Sequence, residues 1–205
     1  MSYIRVYARQ WAVRSLGPGV RYVLWTQGCD QRCPGCVSPE TQNLDGGEYI
    51  STGAIAWEVY ASGARGMTIS GGEPFLQADA LCEMLDAVRN LTDVGVICYT
   101  GHTYEGLCHY PAARRLLDRI DLLIDGPYIR ELDDGRPLRG SSNQRLIHLT
   151  DRYKGIEEAY EASAREQESF WELGGVGQAG IPTHRGGYAS TAGPSFRERQ
   201  RGATT

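Results

Sequence analysis

The sequence predicts an α/β fold, a mostly parallel sheet with helices between its strands, followed by a flexible C-terminal tail. Three observations predict it. Short runs rich in apolar, β-branched and aromatic residues recur over the first 150 residues. Segments with helical apolar spacing separate them, the alternation that builds βαβ units. Past Asp151 the chain turns polar and then glycine-rich, with little to bury. Hydrophobic residues make up 41% of the 205, enough for one core and against wholesale disorder.

Taken in order, Ile4–Ala8 and Arg21–Gln27 read as strands. Thr52–Ala61 has apolar residues at helical spacing and stops at Ser62-Gly63. Gly66–Ser70 is a short buried strand. Gln77–Leu91 is a helix that puts Leu81, Met84, Leu85 and Val88 on one stripe. Val94–Tyr99 is the next strand, Ala112–Arg119 a shorter helix, and Asp121–Ile124 and Arg145–Leu149 complete the strands. Residues 1–150 therefore form the domain. Asp151–Leu173, with six acidic or basic side chains from Glu157 to Glu168, reads as an exposed polar helix capped by Gly174-Gly175. Residues 174–205 read as a glycine-rich, disordered tail.

The charge sum is 21 − 25 = −4, so no basic excess marks a nucleic-acid surface. No run approaches the ~20 apolar residues of a membrane span. The start, Met1 to Arg5, lacks a basic-then-apolar signal pattern. A cytoplasmic location is expected, and there the six cysteines do not form a disulfide framework.

Cys29, Cys33 and Cys36 have the spacing C-x3-C-x2-C. Three thiolates this close on one loop can face one point and hold three irons of a [4Fe–4S] cubane. The fourth iron is then open to a small molecule, as in catalytic metal sites. Gly28 and Gly35 permit the turns and Pro34 fixes one φ between ligands. The alternatives are a zinc site or unrelated thiols. Structural zinc takes four ligands with paired C-x2-C spacing, and no second pair exists here. The second motif, Ser70-Gly71-Gly72-Glu73-Pro74, lies between a strand and a helix. Its glycines let a ligand approach the backbone, and Glu73 can accept hydrogen bonds from an ammonium group. Taken alone it also suits an ordinary strand-to-helix turn.

Together the two motifs resemble the radical S-adenosylmethionine (SAM) superfamily. Within it the chain resembles the family that activates the anaerobic ribonucleoside-triphosphate reductase. The matching stretches are Gly17–Arg21, Gln27–Cys36, Ser70–Pro74, Tyr99-Thr100-Gly101, Asp121–Gly126 and Arg139–Arg145, in family order. The resemblance implies a partial (β/α) barrel with a [4Fe–4S] cluster near its mouth and SAM on the open iron. Gly71, Gly72, Glu73 and Pro74 would hold the amino end of SAM. Thr100, Asp125 and Asn143 would lie near the cofactor. It also implies reductive cleavage of SAM to a 5′-deoxyadenosyl radical, which takes a hydrogen from a glycine Cα of a partner, a glycyl-radical enzyme. A low-potential donor such as flavodoxin or ferredoxin would supply the electron. Two other readings remain open: the same chemistry on a small metabolite or peptide, and a metal-binding interaction module without catalysis.

Other residues read as bystanders. Cys82, Cys98 and Cys108 are scattered small hydrophobes. His102 is a loop residue, and His109, His148 and His184 lack ligand spacing. Arg197, Arg199 and Arg201 make a solvated basic end.

Overall fold

A computed structural model describes residues 2–160, 163, 165–172 and 175–182. Strand β1 (Tyr3–Val13) and strand β2 (Arg21–Thr26) form an antiparallel pair. Residues 14–20 are too short a link for the crossover that parallel strands need. Strand β3 (Glu48–Ser51) adds to the outer edge of β1, and helix α1 (Thr52–Ala61) follows at once, capped by Ser51, whose Oγ accepts from Ala54 N at 3.2 Å. Strand β4 (Gly66–Gly71), helix α2 (Ala78–Leu91), strand β5 (Gly95–Tyr99), helices α3 (Tyr104–Leu107) and α4 (Pro111–Leu117), and strand β6 (Leu122–Asp125) complete the alternating part. Strand β7 (Arg145–His148) then returns antiparallel to β6.

The sheet order is β3-β1-β2-β4-β5-β6-β7, with β2, β4, β5 and β6 parallel. The centre is thus parallel as expected and its flanks are antiparallel. Each face has its own core. Leu81, Met84, Leu85 and Val88 of α2, with Ile55 and Val59 of α1, pack against Tyr22, Leu24, Met67, Ile69, Val96 and Cys98 on one face. On the opposite face Ile97, Leu122 and Ile124 lie under Leu138 and Ile156, and Val23 lies under Ala179 and Ile181. Cys82 and Cys98 are buried, Cys108 partly so, and all three lie in or against the first core.

The expected helix over Asp151–Leu173 is corrected. The segment contains a single helical turn at Asp151–Tyr153, a short helix α5 (Ile156–Tyr160), and then strand β8 (Gln167–Glu172). Strand β8 pairs antiparallel with strand β9 (Gly175–Gly180), inside the expected tail. The charges suit either an exposed helix or an exposed strand. The aromatic pair Phe170-Trp171 favours the strand. The register sets Phe170 opposite Gly177 and Trp171 opposite Val176. The remainder of the expected tail, 183–205, lies outside the described residues. Among the described residues no helix is long and apolar enough to cross a membrane.

One charged residue sits in the core at the end of the sheet away from the cysteines. Arg21 has no exposed surface, and its guanidinium donates to Thr68 Oγ1, the carbonyls of Pro18, Met67 and Gly95, and Tyr153 Oη. Such a buried cation is tolerable because nearly every N–H has an acceptor.

Ser2, just before β1, is held by an acid. Ser2 donates to Glu83 through N (2.9 Å) and Oγ (2.7 Å), and Thr52 Oγ1 donates to it at 2.7 Å. These bonds, the Ser2 Oγ bond first, hold the Glu83 carboxyl at about 2 instead of 4.5. A depressed native value contributes stability that is present above pH 4.5 and is lost as pH falls toward 2. Glu83→Gln is therefore expected to flatten the acid limb of the stability curve in that window. Urea midpoints measured across it check the prediction, and an unaltered limb refutes it.

Candidate functional site

The cysteines lie on the loop that leaves β2. Gly28 and Gly35 both take left-handed backbone, at φ 97° and 72°, which side chains resist. The loop is tied down by backbone partners that motif reading overlooked. Gly28 N donates to Thr41 O at 2.7 Å and Cys29 N to Gln42 O at 3.4 Å. Gln27 Nε2 donates to Asn43 O at 2.8 Å and Glu40 O at 3.2 Å. Cys29, Cys33 and Cys36 line one cavity at the carboxyl ends of β2, β4 and β5, where open α/β sheets place ligands.

Among the described residues no three Cys, His, Asp or Glu side chains are gathered as a single ion requires. Zinc draws its thiolates to ~2.3 Å from one centre. A cubane binds each thiolate at a separate iron, and Cys29, Cys33 and Cys36 line a single cavity. Burial pushes the Cys29 thiol up, while backbone N–H groups of Gln31 and Arg32 oppose this. Burial also pushes Cys36 up, opposed by Ser38 N–H, 3.4 Å from its sulfur, and by Gln42. A metal ion bound to these thiols would offset that cost.

The loop after β4 supplies the facing wall. Gly71, Gly72 and Glu73 line the cavity. Gly72 N donates to Thr26 O at 2.9 Å and Glu73 N to Gly28 O at 2.8 Å, so this loop is stitched directly to the cysteine loop. A Cβ on Gly72 would stand 2.1 Å from Gly28 O, and one on Gly71 2.4 Å from Thr26 N. Pro74 opens the helical turn that follows and is buried without lining the cavity.

Glu73 is fully buried and its carboxylate is already engaged. Oε1 accepts from Phe75 N (3.0 Å) and Thr100 Oγ1 (2.9 Å), and Oε2 accepts from Gly101 N (2.8 Å). Burial pushes this carboxyl up, against the pull of those donors and of His102. Glu73 thus ties the β4 loop to the β5 loop, a role that its sequence neighbours do not reveal. His102 does not line the cavity and stands beside the cysteine loop, 3.7 Å from Asp30 Oδ1.

Thr100 lines the cavity with Gly101. Asp125 does not, although its neighbour Gly126 does. The Asp125 carboxylate is buried, accepting from Tyr104 N at 2.7 Å and pairing with Arg145. Asn143 is likewise outside the lining, and its Nδ2 donates to Pro127 O at 2.7 Å. Its Oδ1 is buried without a partner among the described residues. The more telling orphan is Tyr99, which lines the cavity and whose buried hydroxyl has no partner among the described residues. Burial raises its pKa, so it stays a donor. That hydroxyl lies among Arg21, Tyr160 and Arg165, and a buried hydroxyl left unpaired on a cavity-lining residue fits a cavity shaped for a polar ligand. Tyr99 stands in the Tyr-Thr-Gly stretch, where the sequence reading chose only Thr100. Gln144, in the Arg139–Arg145 stretch where the sequence reading chose Asn143, also lines the cavity, as does Tyr128, which carried no local signal.

Fold and site together define an iron–sulfur protein, and a family model described as a 4Fe-4S single cluster domain matches residues 15–147. The anaerobic ribonucleoside-triphosphate reductase-activating protein of Vibrio cholerae is 34% identical over 142 residues, covering 64% of this chain and 89% of its own. The protein of that name from Enterobacteria phage T4 is 29% identical over 157 residues, covering 74% and 96%. The pyruvate formate-lyase-activating enzyme of Listeria monocytogenes is 40% identical over 73 residues, 33% of this chain and 29% of its own. The chain belongs to the radical SAM activase family of the anaerobic ribonucleoside-triphosphate reductase-activating proteins.

Proposed function

We propose that this protein activates a glycyl-radical enzyme, an anaerobic ribonucleotide reductase, by radical SAM chemistry. One observation carries the reading: the three cysteines of the C-x3-C-x2-C loop share a cavity with Gly71, Gly72, Glu73 and Thr100. Cys29, Cys33 and Cys36 hold a [4Fe–4S] cluster that lacks a fourth protein thiolate. When bound, cluster and SAM supply a one-electron cleavage that yields a 5′-deoxyadenosyl radical able to take a hydrogen atom from a glycine Cα. The residues of this chain orient and shield. Gly71 and Gly72 keep the backbone bare so that the amino end of SAM can approach it. The Glu73 carboxylate, which lines the cavity, would offer its remaining acceptor site to that ammonium. Pro74 starts the turn that sets Glu73. Asp125 and Asn143 act through the backbone they brace, beside Gly126 and Gln144.

The parallel order β2-β4-β5-β6, with the site at its carboxyl ends, supports reading the sheet as an open partial (β/α) barrel. In this reading residues 1–150 are the catalytic domain. The protein works in the cytoplasm, and a low-potential flavodoxin or ferredoxin reduces it.

Anaerobic reconstitution followed by SAM cleavage tests the proposal. The unaltered protein is expected to take up iron and cleave SAM. Replacing any one of Cys29, Cys33 or Cys36 by alanine should abolish both. Mixing with the reductase should give a glycyl doublet by electron spin resonance. A protein that binds one zinc and no iron overturns the proposal.

A further inference from the structure

The C-terminal hairpin lies past residue 147, where the family match ends, and the function above makes no use of it. It is nonetheless docked at three points. Arg165 is only 7% exposed. Its guanidinium pairs with Asp133 at 2.9 Å and donates to the carbonyls of Arg136 (3.1 Å), Arg139 (2.7 Å), Gly140 (3.3 Å) and Pro182 (2.8 Å). The bond to Pro182 clasps the far end of the hairpin to its beginning. Glu168 Oε2 accepts from Arg14 N (2.7 Å) and Ser15 N (2.8 Å), in the turn between β1 and β2. Ala179 and Ile181 are buried against Val23, Trp25, Val37 and Tyr99.

These neighbours belong to the site. Val37 follows the third cysteine, and Tyr99 carries the unpaired hydroxyl. Gly180 and Ile181 themselves line the cavity that Cys29, Cys33 and Cys36 line. Freeing the hairpin would strand the Arg165 charge and expose an apolar wall, so the docked state is strongly preferred. We infer that this hairpin is a built-in wall of the cofactor cavity, with Ile181 as an apolar contact for bound SAM and Arg165 as the latch that holds it there. The inference rests on the SAM reading above. Its physical content is exclusion of water: a dry wall strengthens the polar grip on the cofactor and shields the cluster.

The test uses the full-length protein, reconstituted anaerobically. Two quantities are measured: SAM affinity by equilibrium dialysis, and the rate at which a ferrous chelator strips the cluster with and without SAM. Ile181→Asp puts a charge into the wall and should raise the Kd for SAM about tenfold or more, with loss of the protection that SAM gives against the chelator. Ile181→Ala adds no charge, so it is the safer variant for folding. It should raise the Kd about threefold to tenfold. Ile181→Leu should track the unaltered protein. Arg165→Ala should speed stripping even without SAM. Alanine and aspartate variants that bind SAM within about twofold of the parent overturn the inference alone. A parent that takes up iron but binds no SAM overturns the functional reading, and this inference with it.

Discussion

Gly72→Ala is expected to separate the two loops that frame the cavity and to prevent cluster assembly. The added Cβ would lie 2.1 Å from Gly28 O, 2.7 Å from Gly28 C and 3.0 Å from Thr41 O. All three are backbone atoms, so no rotamer change relieves the contact. Relief must come from moving the cysteine loop, which breaks the 2.8 Å bond from Glu73 N to Gly28 O. Overpacking usually costs 1–3 kcal/mol where side chains can adjust. Here backbone must shift and a buried hydrogen bond is lost, so about 3 kcal/mol or more is expected. For a chain of this size that lowers Tm by about 6–12 °C. Bound iron after reconstitution should fall to a small fraction. Gly135→Ala is the control. It carries the backbone penalty of a positive φ, 69°, that Gly72 does not have, but nothing lies within 4 Å of its new Cβ. It should cost about 1 kcal/mol and leave iron uptake intact. Scanning calorimetry and iron-to-protein ratios decide the matter. Full iron and an unchanged Tm in Gly72→Ala would refute the close-contact account.

The same glycine shows what could be read from sequence. Two adjacent glycines after a strand signal that something comes close to the backbone. In the sequence reading that something is a ligand. In the structure the close neighbour is the carbonyl of Gly28. The identity of a close neighbour is non-local information, and no spacing rule contains it. Cysteine spacing is different, because the loop itself carries all three thiols. The spacing alone therefore puts all three on one loop, and the turns expected at Gly28 and Gly35 are left-handed in the structure.

Legibility failed where local pattern admits two answers. Gln167–Glu172 is polar and charged enough for an exposed helix, yet pairs with a glycine-rich strand. That pairing puts Gly180 and Ile181 at the cavity, so misreading the element also hid part of the site. Strand β3 is only Glu48–Ser51, and it exists because β1 offers an edge; four residues carry too little periodicity to read. Thr41 and Gln77 were invisible for the same reason. Thr41 works through its carbonyl, and Gln77 through a side-chain bond to Arg5, 72 positions away.

Glu73 is the residue whose two possible roles predict different outcomes. An acid after two glycines suggests an ammonium ligand. The carboxylate instead holds Phe75 N, Thr100 Oγ1 and Gly101 N, three donors from two loops. Ionised, it has about four acceptor sites, so one remains for a cofactor amine. Glu73→Ala leaves three donors unpaired, one of them in the fully buried Thr100–Glu73 bond. Each such loss costs about 1–3 kcal/mol, so a destabilisation of about 3 kcal/mol or more is expected even without cofactor. Glu73→Gln keeps an oxygen for Phe75 and Thr100 but turns an NH2 group toward the N–H of Gly101. Two donors then face each other, and about 1–3 kcal/mol should be lost. Both variants should also weaken SAM binding, because Thr100 and Gly101 line the cavity. Urea unfolding of the cofactor-free protein separates the roles. A residue that only grips SAM would leave the cofactor-free midpoint unmoved in both variants. A residue that staples the β4 loop to the β5 loop must lower it, with alanine falling further than glutamine.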